Sequence, residues 1–210
     1  FNMSKQKTFE YKFVNNNILP NFYVNFTNKN AYEGVVNSGN KTLLFGPRKS
    51  GKTEMGNMWA IKNNAIVFKN NFDNLINTRN NILIEDLDKI LDYENIFHLI
   101  NHVASYELKI LITTSISIND LNIKLNDLVS RLKTFNYLKN NNPDDDMLLN
   151  ILTKLFIDKQ FILNSNSIFN YILKRANRSY EEMIKIVEKL DKLTLEKKRQ
   201  LTIPLIKEIL

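Results

Sequence analysis

The chain has 210 residues, of which 43% are hydrophobic and 10% aromatic, and its formal net charge is +7. This composition excludes a disordered chain, and no apolar run reaches the ~20 residues of a membrane span, so we expect no membrane insertion. The absence of cysteine excludes disulfides and thiolate metal sites, and no signal-peptide pattern is visible, which predicts a cytoplasmic protein. The lysines are spread along the chain, so the charge alone does not indicate DNA binding.

Short apolar segments alternate with helical patterns in the first two thirds of the chain. Strands are predicted at 41–45, 65–68, 82–85, 109–114 and 134–138, and helices at 53–62, 93–105 and 122–132. This alternation predicts a parallel sheet covered by helices. Further helices are predicted at 144–159, 165–176, 179–193 and 203–210, the first capped by Asp144, Asp145 and Asp146. We expect an N-terminal segment at 1–18, an α/β domain at 19–140 and a helical domain at 141–210.

An eight-residue motif follows the first predicted strand. Its residues are Gly46, Pro47, Arg48, Lys49, Ser50, Gly51, Lys52 and Thr53. They fit G-x-x-x-x-G-K-[ST], in which backbone N–H groups cradle phosphates, the lysine reaches the β and γ phosphates and the hydroxyl ligates Mg²⁺. The chain has only five glycines, and two of them stand where this loop needs them. The motif predicts that the chain binds ADP or ATP with Mg²⁺.

Polar residues end two of the later predicted strands. Glu85 and Asp86 follow the third strand, and Ser115 follows the fourth. Ligands of open α/β sheets bind at the carboxyl ends of strands, so these side chains are expected beside the phosphates. Glu85 and Asp86 are thus candidates for the metal and phosphate side of the site, and Ser115 for its γ-phosphate side.

Four further segments carry a family resemblance. Residues 21–31 resemble the F-x-V-x-x-x-N-x-x-A motif that lines the adenine side of one ATPase family, with Phe22, Val24 and Asn28 at matching positions. Residues 127–132 resemble a D-L-x-S-R-L stretch that carries the arginine finger of this family, here Arg131. Arg178 matches the family's sensor 2 arginine, and residues 201–210 resemble the C-terminus of one of its branches. The family is the DnaA branch of the AAA+ ATPases, and within it the Hda regulators of bacterial replication initiation. The resemblance implies a P-loop αβα sandwich with a five-stranded parallel sheet and a small helical lid.

The resemblance also implies a function. Members of the Hda family act with the DNA-loaded sliding clamp, the DNA polymerase III beta subunit, to promote hydrolysis of DnaA-bound ATP. Arg131 would then act in trans on nucleotide held by DnaA. Gln6, Phe9 and Tyr11 resemble the family's Q-x-x-L-x-L clamp-binding motif with aromatics in place of leucines, although an ordinary amphipathic strand packed on its own domain fits them too. No helix-turn-helix domain follows residue 210, so we expect no sequence-specific DNA binding.

In the family the first of two paired acids stands on the metal side and the second activates the attacking water, so the resemblance assigns these roles to Glu85 and Asp86. The family has Asp-Asp or Asp-Glu there, and the pair Glu85-Asp86 departs from that pattern. Both side-chain lengths are off by about one bond, so we expect weak intrinsic hydrolysis and a mainly ADP-bound form. Two alternatives stay open: an independent ATPase or loader-like remodelling factor that self-assembles through Arg131, and a nucleotide-independent adaptor for DnaA or the clamp. His98 and His102 have metal-ligand spacing but no third ligand, so we interpret them as structural.

Overall fold

The computed structural model describes residues 22–68, 79–161 and 167–210. The proposed clamp motif, Gln6, Phe9 and Tyr11, lies outside the described residues. The strands are β1 (Lys41–Phe45), β2 (Ile66–Phe68), β3 (Ile82–Ile84), β4 (Ile110–Thr114) and β5 (Asn136–Lys139). The helices are α1 (Lys29–Val36), α2 (Lys52–Lys62), α3 (Tyr93–Ser105), α4 (Asn126–Leu132), α5 (Asp145–Asp158), α6 (Ser167–Arg175), α7 (Tyr180–Lys197) and α8 (Ile203–Ile206), with a 3₁₀ turn at Leu87–Lys89.

The five strands form one parallel sheet in the order β2-β3-β4-β1-β5. Strand β1 lies between β4 and β5, with Leu43 opposite Ile112 on one side and Tyr137 on the other. Because the strands are parallel, the loops that leave β1, β3 and β4 meet at one edge of the sheet. The predicted five-stranded parallel sheet is confirmed, and this edge is where the polar residues gather.

Helices cover both faces of the sheet, since alternate strand residues point to opposite sides. On one face Leu43, Ile84 and Ile112 pack in a core with residues of α3 and α4. On the other face Leu44 and Leu83 pack with residues of α1 and α2, including Trp59, which is 1% exposed. These two cores make the predicted αβα sandwich and hold the ends of β1 rigidly in place.

The last four helices have a core of their own, which we call the lid core. Members of this core that are fully buried lie on α5, α6 and α7 and include Leu152, Phe156, Ile172, Met183 and Leu190. The carboxylate of Asp144 accepts a hydrogen bond from the Met147 N–H at 2.8 Å, so the predicted N-cap is confirmed. In the part of the chain that the structure describes, the helices fall short of the length and apolar character that crossing a bilayer requires.

Several element boundaries differ from the sequence prediction. Helix α4 begins at Asn126 and not at 122, because Leu121 and Ile123 lie buried in non-helical backbone with a two-residue alternation. Helix α7 continues to Lys197, beyond the predicted residue 193, since no Gly or Pro interrupts it before Lys198 takes a φ of 50°. Helix α8 ends at Ile206 and the chain then turns, whereas the prediction extended it to 210.

Helix α1 was not among the predicted helices. It is short, and its Gly34 is a weak helix former. The structure shows why glycine stands there: a Cβ at Gly34 would overlap the side chain of Leu138 on β5. Tertiary packing against the sheet therefore decides this helix, and the sequence pattern alone does not reveal it.

We predict that Phe156→Ala destabilises the lid by about 3–5 kcal/mol, because the ring is fully buried and stacks on Phe169 at a centroid distance of 5.3 Å. Urea unfolding followed by circular dichroism measures the loss. The matched control is Ile157→Ala, one residue along α5 and 67% exposed, which should change the free energy of unfolding by less than about 0.5 kcal/mol. Equal effects of the two variants would contradict the described lid core.

Candidate nucleotide-binding site

The loop between β1 and α2 contains the phosphate-binding motif. Gly51 has a φ of 83°, a left-handed conformation that suits glycine, and a Cβ there would lie 2.7 Å from Cε2 of Phe22. At Gly46 a Cβ would lie 2.7 Å from the Cβ of Asn140 and 3.0 Å from its carbonyl oxygen. Both motif glycines therefore stand where a side chain would collide with a neighbouring residue.

Lys52 is the charged centre of this loop. Lys52 is only 6% exposed, and its Nζ donates to the carbonyl oxygens of Gly46 at 3.0 Å and Pro47 at 2.8 Å. Burial lowers the pKa of Lys52, while the carboxylates of Asp86 and Asp88 oppose that shift. A buried ammonium without a direct anionic partner is a strong attractor for phosphate. The neighbouring Thr53 lies exposed, so its hydroxyl is accessible to a metal ion.

The acids after β3 occupy different environments. One carboxylate oxygen of Glu85, Oε1, is buried and has no hydrogen-bond partner among the described residues. Asp86 has a φ of 50°, its N–H donates to the Thr113 hydroxyl at 3.0 Å, and its carboxylate accepts from Lys89 Nζ at 2.5 Å. This hydrogen bond raises the pKa of Lys89. Glu85 is thus available to a cation, whereas the Asp86 carboxylate is already paired with the Lys89 ammonium.

Asp88 was missed by the sequence analysis. Its Oδ1 accepts from the Ser115 N–H at 2.8 Å and from the Thr114 hydroxyl at 3.2 Å, so it joins the 3₁₀ turn to the end of β4. The available signal was a third acid two residues after Asp86, followed by Lys89. The contact brings Ser115 to the same edge of the sheet as Glu85 and Asp86.

The segment before α1 approaches the loop through Phe22. Its ring lies against Gly51 and stacks on Tyr32 at a centroid distance of 5.7 Å. Val24, two residues after Phe22, is 36% exposed. Asn28 is 3% exposed, and its side chain donates to the Tyr23 carbonyl at 2.8 Å and accepts from the Asn25 N–H at 2.9 Å, which shapes this turn.

Residues from the lid face the loop as well. Arg178, just before α7, forms an ion pair with Asp145 at 3.3 Å, and both side chains are mostly exposed, at 63% and 60%. A hydrogen bond from Lys185 chiefly lowers the pKa of Glu181, and Arg48 and Lys49 add smaller contributions of the same sign. The variable, basic positions of the loop therefore lie near the start of α7.

Arg131 lies in the last turn of α4 and is exposed. Its guanidinium forms no ion pair or hydrogen bond with the residues that the structure describes. Helix α4 returns the chain from the carboxyl end of β4 to the start of β5, so Arg131 approaches the sheet edge opposite the phosphate-binding loop. The structure does not bring Arg131 together with the other site residues.

The histidine pair of α3 packs against aromatic rings. His98 lies edge-on to Phe97, and His102 lies 4.7 Å from the ring of Tyr106. Within the described ranges no group of three or more His, Asp or Glu side chains is arranged to hold a metal ion. Any Mg²⁺ at Thr53 and Glu85 would therefore share its coordination with phosphate oxygens.

Comparison with known proteins identifies the helical domain. Residues 144–210 match a family model described as Hda, lid domain. The helical domain is therefore similar to the lid domain of Hda. Most of the chain is similar in structure to domain III of DnaA from Thermotoga maritima, with a TM-score of 0.71 at 17% identity over 90% of this chain and 93% of that one. The chain thus combines a lid similar to that of Hda with a fold similar to that of DnaA domain III.

Other solved structures support the same fold. AMPPCP-bound DnaA from Aquifex aeolicus has a TM-score of 0.65 at 20% identity, covering 84% of this chain and 66% of that one. A RuvB branch migration motor of Thermotoga maritima has a TM-score of 0.62 at 13% identity, covering 84% and 63%. These similarities confirm the AAA+ fold. Among curated proteins, an uncharacterised protein of Haemophilus influenzae is 30% identical over 134 residues, which span 61% of this chain and 58% of that protein.

We predict that Lys52→Ala weakens ADP binding about 10- to 100-fold, as expected for the loss of a charge-assisted contact worth about 1.5–3 kcal/mol. Fluorescence anisotropy of a labelled ADP measures the affinity. Lys41→Ala is the matched control, since Lys41 lies at the other end of β1 and should leave the affinity unchanged. An unaltered affinity in Lys52→Ala would show that nucleotide does not bind in this loop.

Proposed function

We propose that this protein is a nucleotide-binding regulator that acts with the DNA-loaded sliding clamp to promote hydrolysis of DnaA-bound ATP, and so inactivates the replication initiator. One observation carries the proposal: Arg131 is exposed, lacks an ionic partner among the described residues and approaches the sheet edge opposite its own phosphate-binding loop. An arginine in that position is available to another protein's nucleotide. The Hda lid and the DnaA-type fold make DnaA the expected partner.

The residues of the loop fit ADP or ATP with Mg²⁺. Close contacts at Gly46 and Gly51 leave no room for larger residues there, and Lys52 supplies a buried positive charge. The Thr53 hydroxyl and the unpartnered Oε1 of Glu85 are hard oxygen ligands of the kind that Mg²⁺ prefers. The related DnaA of Aquifex aeolicus was solved with AMPPCP, a nucleotide analogue, bound.

Further residues would shape the ends of the nucleotide site. Phe22 and Val24 are proposed to flank the adenine, with Asn28 holding their turn. Arg178 would reach the phosphates only by leaving Asp145, an exchange that is easy because both side chains are exposed and such pairs are weak. Ser115 is held at the phosphate edge by Asp88.

Arg131 would act on nucleotide bound by DnaA. Phosphoryl transfer passes through a transition state whose charge is spread over the phosphoryl oxygens, and a guanidinium placed there lowers its free energy. Arginines supplied in trans raise hydrolysis by about 10³- to 10⁵-fold in this reaction class. The protein would contribute this charge without carrying out the hydrolysis in its own site.

The protein's own site is proposed to hydrolyse ATP slowly. Asp86, the residue expected to activate water, is shorter than the usual glutamate, and its carboxylate is engaged by Lys89. Glu85 is correspondingly longer than the usual aspartate at the metal position. Errors of about 1 Å in such positions cost about 10²-fold in rate.

Attachment to the clamp is proposed to use Gln6, Phe9 and Tyr11. In an extended peptide Phe9 and Tyr11 lie on the same side, where an apolar groove could bind both rings, and Gln6 could donate at its rim. The proposal for this segment is supported by its sequence alone. It implies that the protein works in the cytoplasm, where clamp and initiator meet.

We predict that this protein stimulates ATP hydrolysis by ATP-loaded DnaA in the presence of DNA-loaded clamp. Arg131→Ala should lower the stimulated rate by about 10³-fold, or to the unstimulated rate if the stimulation is smaller than that. Release of labelled phosphate from preloaded DnaA gives the rate. Lys133→Ala is the matched control, because Lys133 is also exposed and cationic and lies two residues away. It should retain the stimulation.

Two results would redirect the proposal. If the intact protein gives no stimulation while DnaA and clamp are each active, an independent AAA+ factor that uses Arg131 between its own copies becomes the better hypothesis. If stimulation persists in both Arg131→Ala and Lys52→Ala, the protein acts as a nucleotide-independent adaptor.

A second prediction concerns intrinsic hydrolysis. The double variant Glu85→Asp with Asp86→Glu restores the usual side-chain lengths, so the protein alone should hydrolyse ATP up to about 100-fold faster than the natural sequence. Steady-state phosphate release without DnaA measures both rates. Rapid hydrolysis by the natural sequence, at the rates of competent AAA+ motors, would contradict the proposed regulatory role.

A further inference from the structure

Asn140, the residue after β5, lies outside the phosphate-binding motif but contacts it directly. The residue is 1% exposed, and its Nδ2 donates to the Ser50 carbonyl at 2.8 Å. Its backbone N–H donates to the Phe45 carbonyl at 2.7 Å, and its Cβ lies where a side chain at Gly46 would stand. Asn140 therefore touches the loop at its start and near its end.

Two polar atoms in this contact lack partners. The Ser50 hydroxyl and the Asn140 Oδ1 are both buried, and neither forms a hydrogen bond with the described residues. The Ser50 hydroxyl can donate and the Asn140 Oδ1 can accept, and the Ser50 Oγ lies 3.3 Å from where a Cβ at Gly46 would stand. Buried polar groups without partners are costly, so the loop has a reason to rearrange when a phosphate is bound.

The chain after Asn140 leads directly to the lid. The Asn141 N–H donates to the Thr27 carbonyl at 3.2 Å, and Asn25 Oδ1 in turn accepts from the Thr27 N–H at 2.9 Å. Asn25 Nδ2 donates to Asp144 Oδ1 at 2.9 Å, the oxygen that also caps α5. A continuous series of hydrogen bonds thus joins the phosphate-binding loop to the first lid helix.

We propose that Asn140 is a positioning residue that couples the phosphate-binding loop to the lid, so that phosphate bound at the loop changes the order of residues 141–149. This inference rests on the nucleotide binding proposed above. The amide of Asn140 is the only side-chain group described in this series that contacts the loop backbone. Asn25 is the corresponding contact at the lid end.

Hydrogen exchange with mass spectrometry, with and without ADP, tests the coupling. In the natural sequence ADP should slow exchange in peptides covering the loop and in those covering residues 141–149. Asn140→Ala keeps the Cβ against Gly46 and removes the amide, so ADP should bind about 3- to 10-fold more weakly, as for the loss of one hydrogen bond. At saturating ADP the loop should be protected and residues 141–149 should not.

Asn25→Asp separates coupling from binding. It keeps the oxygen that accepts from Thr27 but places a carboxylate against Asp144 and Asp146, which breaks the lid end of the series. ADP affinity should stay within about 2-fold, with lid protection lost. Asn136→Ala, exposed on β5, is the control and should change neither quantity.

The outcomes are distinguishable. If ADP does not bind the natural sequence, the proposed nucleotide function fails, and the coupling that rests on it fails with it. If ADP binds and both Asn140→Ala and Asn25→Asp keep full lid protection, the coupling alone is wrong. Thermal unfolding of each variant identifies a folding defect, and Asn25→Asp still decides the question if Asn140→Ala does not fold.

Discussion

The Lys52 ammonium is buried among backbone carbonyls, and this constraint shapes everything around it. Burying a charge with only neutral partners is unfavourable, and the fold has to hold the loop in place against that cost. Strand β1 is anchored between two strands, and Trp59 of α2 packs in the core that α1 and α2 form with one face of the sheet. An anion in the loop would relieve this cost, so the rigidity that holds Lys52 in place also prepares the loop for phosphate.

The two positive groups that matter most to the proposed function lie in opposite environments, one buried and one exposed. Lys52 is enclosed, whereas Arg131 is left in solvent at the other side of the sheet. Meanwhile Lys89 engages Asp86, the acid that the protein's own hydrolysis would need. The chain is therefore better organised to hold a nucleotide, and to offer a charge elsewhere, than to turn nucleotide over by itself.

Much of this could be predicted from local sequence. The strands and the phosphate loop follow from apolar runs and a short motif, and the Asp144 cap follows from an acid placed before a helical pattern. The start of α4 could not be predicted, because the spacing of Leu121 and Ile123 fits a helix or an extended segment equally well. Neither could the role of Asn140, since its partner Ser50 lies 90 residues away and only the sheet brings them together.

The position of β1 at the centre of the sheet also has a consequence for how the protein is made. Both neighbours of β1 come later in the chain, and β5 ends about ninety residues after β1 does. At about 5–20 residues per second, a ribosome needs roughly 5–20 s to supply them. Until then β1 lacks at least one of its two neighbouring strands, and the loop that follows it lacks its contact with Asn140. The nascent chain thus carries an apolar segment that a chaperone can hold, and nucleotide can assist its folding only after β5 has been made.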